Sequence, residues 1–143
     1  MELVGTVRES IVGHARDAAP AEACGLLGGR PGQRPVVTAA IATPNVATEP
    51  RTRFEIDPEA LLAGQEAFDA AGLDLVGFYH SHPEGPDEPS ETDRELAQWE
   101  ATHTLIVSLS GPEPAVGAWQ YDDGSFRSTT LDVISAPPSG DST

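Results

Sequence analysis

The chain contains no lysine, one cysteine, one methionine and few aromatic residues, and these scarcities exclude whole classes of chemistry. With Cys24 alone, no internal disulfide can form, and neither a Cys-rich zinc cluster nor a Cys-x-x-Cys redox pair is possible. Any bound metal therefore has to be held by histidine and carboxylate. No apolar run approaches the roughly 18 residues that a membrane span needs, and the opening Met1-Glu2-Leu3-Val4-Gly5 has neither the basic nor the apolar segment of a secretion signal. The expectation is a cytoplasmic protein without a membrane partner. All eight basic residues are arginine, set against 23 Asp and Glu, for a formal net charge of −15. Such an excess of acid repels phosphate backbones, so nucleic acid is not expected as a partner. It suits a solvated acidic surface, whose self-repulsion strong salt would screen.

At 143 residues the chain can bury a core unaided. One domain is expected over residues 1–134, followed by a Pro/Ser/Gly-rich tail over 135–143 that is expected to be disordered. Thr6-x-x-Glu9 has capping-box spacing, and Val7, Ile11, Val12 and Ala15 recur at helical intervals, which predicts a first helix from Val7 to Ala19. Ala23 to Leu27 reads as a buried strand closed by a Gly28-Gly29 turn, and Val36 to Thr43 as its hairpin partner. Asn45 to Arg53 is polar loop, and Arg53 to Ile56 is expected as a brief strand. Asp57-Pro58 opens a second helix that Gly72 closes. Leu73 to His82 is almost continuously apolar, as a strand covered on both faces would be. A third helix is predicted from Ser90 to about Glu100, then strands over Thr104–Ser108, Ala115–Tyr121 and Ser125–Leu131, the last two joined at Asp122-Asp123-Gly124.

The chemistry concentrates at the end of the central strand. Side chains alternate along a strand, so His80 and His82 project from one face, roughly 6.6 to 7 Å apart, while Tyr79 and Ser81 face the other way. Seven residues of loop then bring the chain back to Ser90, which places Asp93 in the first turn of the third helix. Two imidazoles and one carboxylate are the donor set of a catalytic zinc site, in which the fourth position is left to water. Taken alone, Ser90-x-x-Asp93 is also a plain capping pattern, and a single strand histidine is ordinarily a satisfied polar residue; the His-x-His pair ahead of it shifts the balance. His14 and His103 lie outside any ligand spacing, and Cys24 reads as a small buried residue.

His80-Ser81-His82-Pro83, six residues, Ser90, two residues and Asp93, with Glu22 upstream, resembles the motif of the JAMM (MPN+) metallopeptidases at every position. Five fixed positions coincide by chance about once in a few million start points. Glu22-Ala23-Cys24-Gly25-Leu26-Leu27-Gly28 is similar to the glutamate-bearing strand of small prokaryotic members, and the order of elements matches the family from about Leu3 to Val133.

That resemblance implies an α/β fold of MPN type, related to the cytidine deaminases, with a mixed central sheet flanked by helices. It implies Zn2+ held by His80, His82 and Asp93, Glu22 as general base and acid, and Ser90 as hydrogen-bond donor to the oxyanion. It further implies cleavage after the C-terminal glycine of a ubiquitin-like (β-grasp) modifier, isopeptide conjugates included. Processing of sulfur-carrier proteins of the same fold and a non-catalytic scaffold remain open as alternatives. A zinc nucleobase deaminase is disfavoured, since its His-x-Glu and paired cysteines are absent. The substrate tail is expected to add to a strand edge near Glu49–Phe54.

Overall fold

The computed structural model describes residues 1–97 and 102–137. A short strand, β1 (Glu2–Val4), runs directly into helix α1 (Gly5–Ala18), which buries Val7, Ile11, Val12 and Ala15. The predicted helix is present, but its expected cap is not. Val4 is the N-cap, with no side-chain bond, and Thr6 lies inside the first turn. Pairing of β1 in the sheet fixes where the helix can begin and overrides the local Thr6-x-x-Glu9 signal. The expected hairpin forms from β2 (Cys24–Arg30) and β3 (Val36–Thr43). Gly28 and Gly29 do not turn the chain as expected. They lie within β2 at a register shift, and a Cβ on Gly28 would press against the Phe68 ring at 2.5 Å, so glycine there serves packing.

Helix α2 (Pro58–Ala70) opens as predicted: the Asp57 side chain accepts from Ala60 N at 3.3 Å. Gly72, at φ +75°, follows its end. Next come β4 (Asp74–His82), α3 (Glu91–Leu96), β5 (Thr102–Ser108), β6 (Ala115–Asp122), β7 (Ser125–Thr129) and β8 (Asp132–Ile134). The expected Arg53–Ile56 strand reduces to one isolated bridge between Asn45 and Ile56. Helix α3 stops at Leu96 with Ala97 extended, and the rest of the predicted stretch, residues 98–100, lies outside the described residues, as do 138–143 of the tail. The predicted Ser125–Leu131 strand breaks after Thr129, because Asp132–Ile134 pairs elsewhere.

All eight strands form one sheet in the order β7-β6-β5-β4-β2-β3-β1-β8. Strand β4 is central, antiparallel to β2 and parallel to β5, which makes the sheet mixed. The two outermost strands, β7 and β8, are separated in sequence only by Thr130 and Leu131. Laid flat, outer strands of such a sheet would stand roughly 34 Å apart, yet three Cα steps reach about 11 Å. The sheet must therefore curl until its margins nearly meet. Helix α1 packs on one face, where Leu3, Leu27, Val37, Leu105 and Val107 form a core of fully buried side chains. Each large one contributes about 1.5 to 3 kcal/mol. Tyr79 faces this side, as strand alternation requires, and its hydroxyl meets His14 Nδ1 at 2.6 Å. Among the described residues no helix is long and apolar enough to cross a membrane.

Candidate metal centre

The end of β4 carries His80 and His82 away from the α1 face, toward the start of α3. Ser90 caps that helix reciprocally. Its Oγ accepts from Asp93 N at 3.0 Å, while its own N–H donates to Asp93 Oδ2 at 2.9 Å. The capping pattern and the site are thus the same structure, since the cap aims the Asp93 carboxylate at the histidines. Asp93 Oδ2 lies 3.0 Å from Nε2 of both His80 and His82. Glu22, two residues ahead of β2, completes the group: one potential ligand atom from each of Glu22, His80, His82 and Asp93 lies within 4.8 Å of the others, and all four residues are buried.

The return loop that brings Ser90 back is pinned at three points. His82 Nδ1 meets Pro86 O at 2.7 Å, Ser108 Oγ donates to Gly85 O at 2.6 Å, and Trp119 Nε1 donates to Asp87 O at 3.0 Å. The first contact also sets the imidazole chemistry. With Nδ1–H donating to Pro86 O, Nε2 of neutral His82 presents a lone pair to the Asp93 oxygen. Two acceptors at that separation need a cation between them, either a proton or a metal ion. His80 Nδ1 and Glu22 Oε1 are buried without partners among the described residues, and the His80 ring is held by stacking on Phe54 at a centroid distance of 4.4 Å. The donor set therefore fits a divalent cation bound by two imidazoles and a carboxylate, with Glu22 beside it.

Electrostatics at the four groups diverge. Burial pushes the Glu22 carboxyl up to about 7, offset in part by His82 and reinforced by Asp93. Burial would raise Asp93 as well, but hydrogen bonds from His80 and His82 outweigh it and hold this carboxyl well below the ordinary carboxylate range. His80 is pushed down by burial. For His82, burial is outweighed by Asp93 and the Pro86 carbonyl, and its pKa rises above 6.5. One acid that prefers its proton near neutrality beside one that stays ionised is the pattern of a proton-transfer site.

The structure brings together His80, His82, Asp93 and the Ser90 cap, which the spacing singles out, and Glu22, which the family resemblance alone adds. His14 and His103 stay outside the group, and Cys24 is fully buried with its thiol pKa raised by burial, so neither histidine nor the thiol enters the site. Ser81 Oγ, on the far face, accepts from Ala23 N at 2.8 Å. The expected docking edge at Glu49–Phe54 is absent. Thr52 N and Arg53 N both donate to Glu49 O, so this stretch is a turn with no strand edge to offer. What borders the site instead is a cleft of about 400 Å³ lined by Phe54, Ile56, Leu61, Phe78, Tyr121 and Phe126, open to His80 and Asp93. A larger hollow of about 1390 Å³ lies beside Arg34, His103 and Arg127, and holds none of the four clustered residues. Size alone does not locate the chemistry. The sequence carries no signal for Asn45, and it points to Phe54 only as one end of the expected Glu49–Phe54 edge, not as a ring stacked on His80.

Comparison with known proteins agrees with this geometry. The chain is 44% identical to a desampylase from Haloferax volcanii, over 93% of this chain and 96% of that protein. It is 32% identical to a CysO-cysteine peptidase from Mycobacterium tuberculosis, over 87% and 85%. A JAB1/MPN domain protein from Archaeoglobus fulgidus shares the fold, with a TM-score of 0.61, 21% identity and coverage of 94% of this chain and 99% of that one. Residues 6–122 match the family described as prokaryotic homologs of the JAB domain, and the chain, a metallopeptidase of JAMM type, belongs to that family.

Proposed function

We propose that this protein is a zinc-dependent peptidase that cleaves after the C-terminal glycine of a ubiquitin-like modifier, including isopeptide bonds to lysine. The observation that carries the reading is the buried convergence of Glu22, His80, His82 and Asp93 within 4.8 Å, in a chain this similar to a desampylase. His80, His82 and Asp93 would hold the zinc. Zinc bound there supplies a Lewis acid and lowers the pKa of water toward 7. Glu22, with an unpartnered Oε1 and a pKa near neutrality, accepts the proton of the attacking water and returns it to the leaving amine. Ser90 Oγ accepts from Asp93 N, which leaves its own hydroxyl hydrogen to donate to the developing oxyanion. Phe54 and Phe78 wall the cleft along which an extended tail of small residues would lie, screened from bulk water.

A second reading, release of cysteine from a sulfur-carrier protein, is favoured by the similarity to the CysO-cysteine peptidase. The bond broken and the groups used would be the same, and only the leaving amine differs. Incubating the zinc-loaded protein with a lysine-linked and a cysteine-tailed carrier separates the two. Cleavage of the lysine conjugate is expected, and turnover of the cysteine adduct alone would reject the first reading. A scaffold without activity would turn over neither, although every residue of the motif is in place.

A further inference from the structure

Asn45 lies in the connection between β3 and α2, and its amide spends its whole hydrogen-bonding capacity on backbone. Nδ2 donates to the carbonyls of Glu22 and Arg53, each at 3.0 Å, with a longer approach of 3.5 Å to Pro50 O. Oδ1 accepts from Ala47 N and Glu55 N, each at 3.0 Å. The opposite orientation would set the amide oxygen against carbonyl oxygens, so the network itself assigns the two atoms.

These partners converge on the site from two directions. Glu22 is the acid beside the histidines, whereas Arg53 and Glu55 flank Phe54, the ring that stacks on His80. The same loop reaches Glu22 a second time, because Glu22 N donates to Pro50 O at 2.7 Å. Neither segment is secured by a ladder. Strand β2 begins only at Cys24, and the one pairing near the loop is the Asn45–Ile56 bridge. Ser81 clasps Ala23 on both sides: its Oγ accepts from Ala23 N at 2.8 Å, on the peptide group whose carbonyl is that of Glu22, and its N–H donates to Ala23 O at 3.0 Å, on the next one. Beyond that clasp, the Glu22 carbonyl has Asn45 as its side-chain partner.

We propose that Asn45 is a positioning residue that ties Glu22 and the Phe54 wall into one unit, so that the proton-transfer group and the side of the cleft keep a fixed relation. The proposal deepens the peptidase reading above and rests on it for its catalytic consequence. Its structural half stands separately: without the Asn45 amide, the Glu22 carbonyl and the Glu55 N–H each lose their side-chain partner, and the loop then holds Glu22 through Pro50 O alone.

Hydrogen exchange and kinetics on Asn45→Ala test it together. Exchange at the Glu22 and Glu55 amides is expected to quicken about tenfold or more while β5 stays protected. Zinc content should remain that of the unaltered protein, because Asn45 touches none of His80, His82 or Asp93. On a lysine-linked modifier, kcat should fall about 10- to 100-fold with KM changed far less, the size of loss that follows small misplacement of a reacting group. Placed on a Glu22→Gln background, the substitution should cost nothing further, since both changes act through the same group. Unchanged exchange at those amides, or an equal fold-loss on both backgrounds, overturns the proposal. Should Asn45→Ala fail to fold, Asn45→Asp keeps the acceptor for Ala47 and Glu55 and loses the donor to Glu22 O and Arg53 O. Exchange should then quicken at Glu22 and not at Glu55, with the same kinetic outcomes, and unchanged exchange at Glu22 overturns the proposal. If the unaltered protein with zinc cleaves no conjugate, the peptidase reading fails, and the exchange result alone decides the role of Asn45.

Discussion

Replacing Glu22 with glutamine should stabilise the metal-free protein, and only above the pH at which a free glutamate titrates. Glu22 is 4% exposed. Burial first, against His82 and together with Asp93, raises its carboxyl from 4.5 to about 7. The folded state then binds more protons than the unfolded state between those values, so stability falls as pH rises through that window and stays low above it. At about 1.4 kcal/mol per pKa unit, the gap sets a ceiling of about 3 kcal/mol. Water entering the open cleft screens part of this, and about 1 to 2 kcal/mol is expected. Glutamine keeps the size and, like the protonated acid, offers one acceptor oxygen and a donor, but never ionises, so it escapes the cost. Urea unfolding of chelator-treated protein at about pH 4 and about pH 8, at fixed salt, reads the effect as a midpoint shift at constant slope. The variant should gain on the unaltered protein only at the higher pH, and zinc should shrink the gain because a nearby cation favours the carboxylate. An equal difference at both pH values, or a less stable variant at the higher one, would refute the assignment of a strained, buried acid.

Zinc affinity should weaken as pH drops, because His82, whose pKa Asp93 and the Pro86 carbonyl raise against burial, must give up its proton to bind. Calorimetry in two buffers of different ionisation heat counts that proton, and pH-independent binding with no release would contradict a proton held between His82 Nε2 and Asp93 in the metal-free protein. Ser90→Ala should cost about 1 kcal/mol through the lost cap and a further 10²- to 10³-fold in kcat through the lost oxyanion donor. A variant with the stability loss but full turnover would reduce Ser90 to a cap. Gly25→Ala should destabilise by about 1 to 3 kcal/mol, since its Cβ would overlap the Tyr79 ring and the Ile41 carbonyl. A thermal midpoint equal to that of the unaltered protein would show that β2 and β4 can separate at no cost.

The candidate metal ligands are legible because their signal is local. Alternation puts His80 and His82 on one face whatever the rest of the chain does, and a first-turn position fixes Asp93 relative to Ser90. The central strand announced itself by its apolar run, and the β6–β7 turn by Asp123-Gly124, both at positive φ. What stayed hidden depends on distant partners. Strands β1 and β8 have three residues each, too few to show any period, and they exist only because they pair with each other and with β3. Gly28-Gly29 reads as a turn until Phe68 is seen against it. Asn45 and Phe54 sit in a stretch of turn-forming composition, and nothing nearby reveals that one grips a carbonyl 23 positions earlier or that the other lies flat on a histidine.

The two-residue step from β7 to β8 bears on how this protein meets other chains. Margins drawn that close, five and three residues long and carrying Arg127 and Asp132, make poor templates for stacking copy upon copy. On the function proposed above, a flexible substrate terminus would lie in the aromatic cleft beside His80 and Asp93, and the outer rim, with so little free edge, would offer it no competing seat.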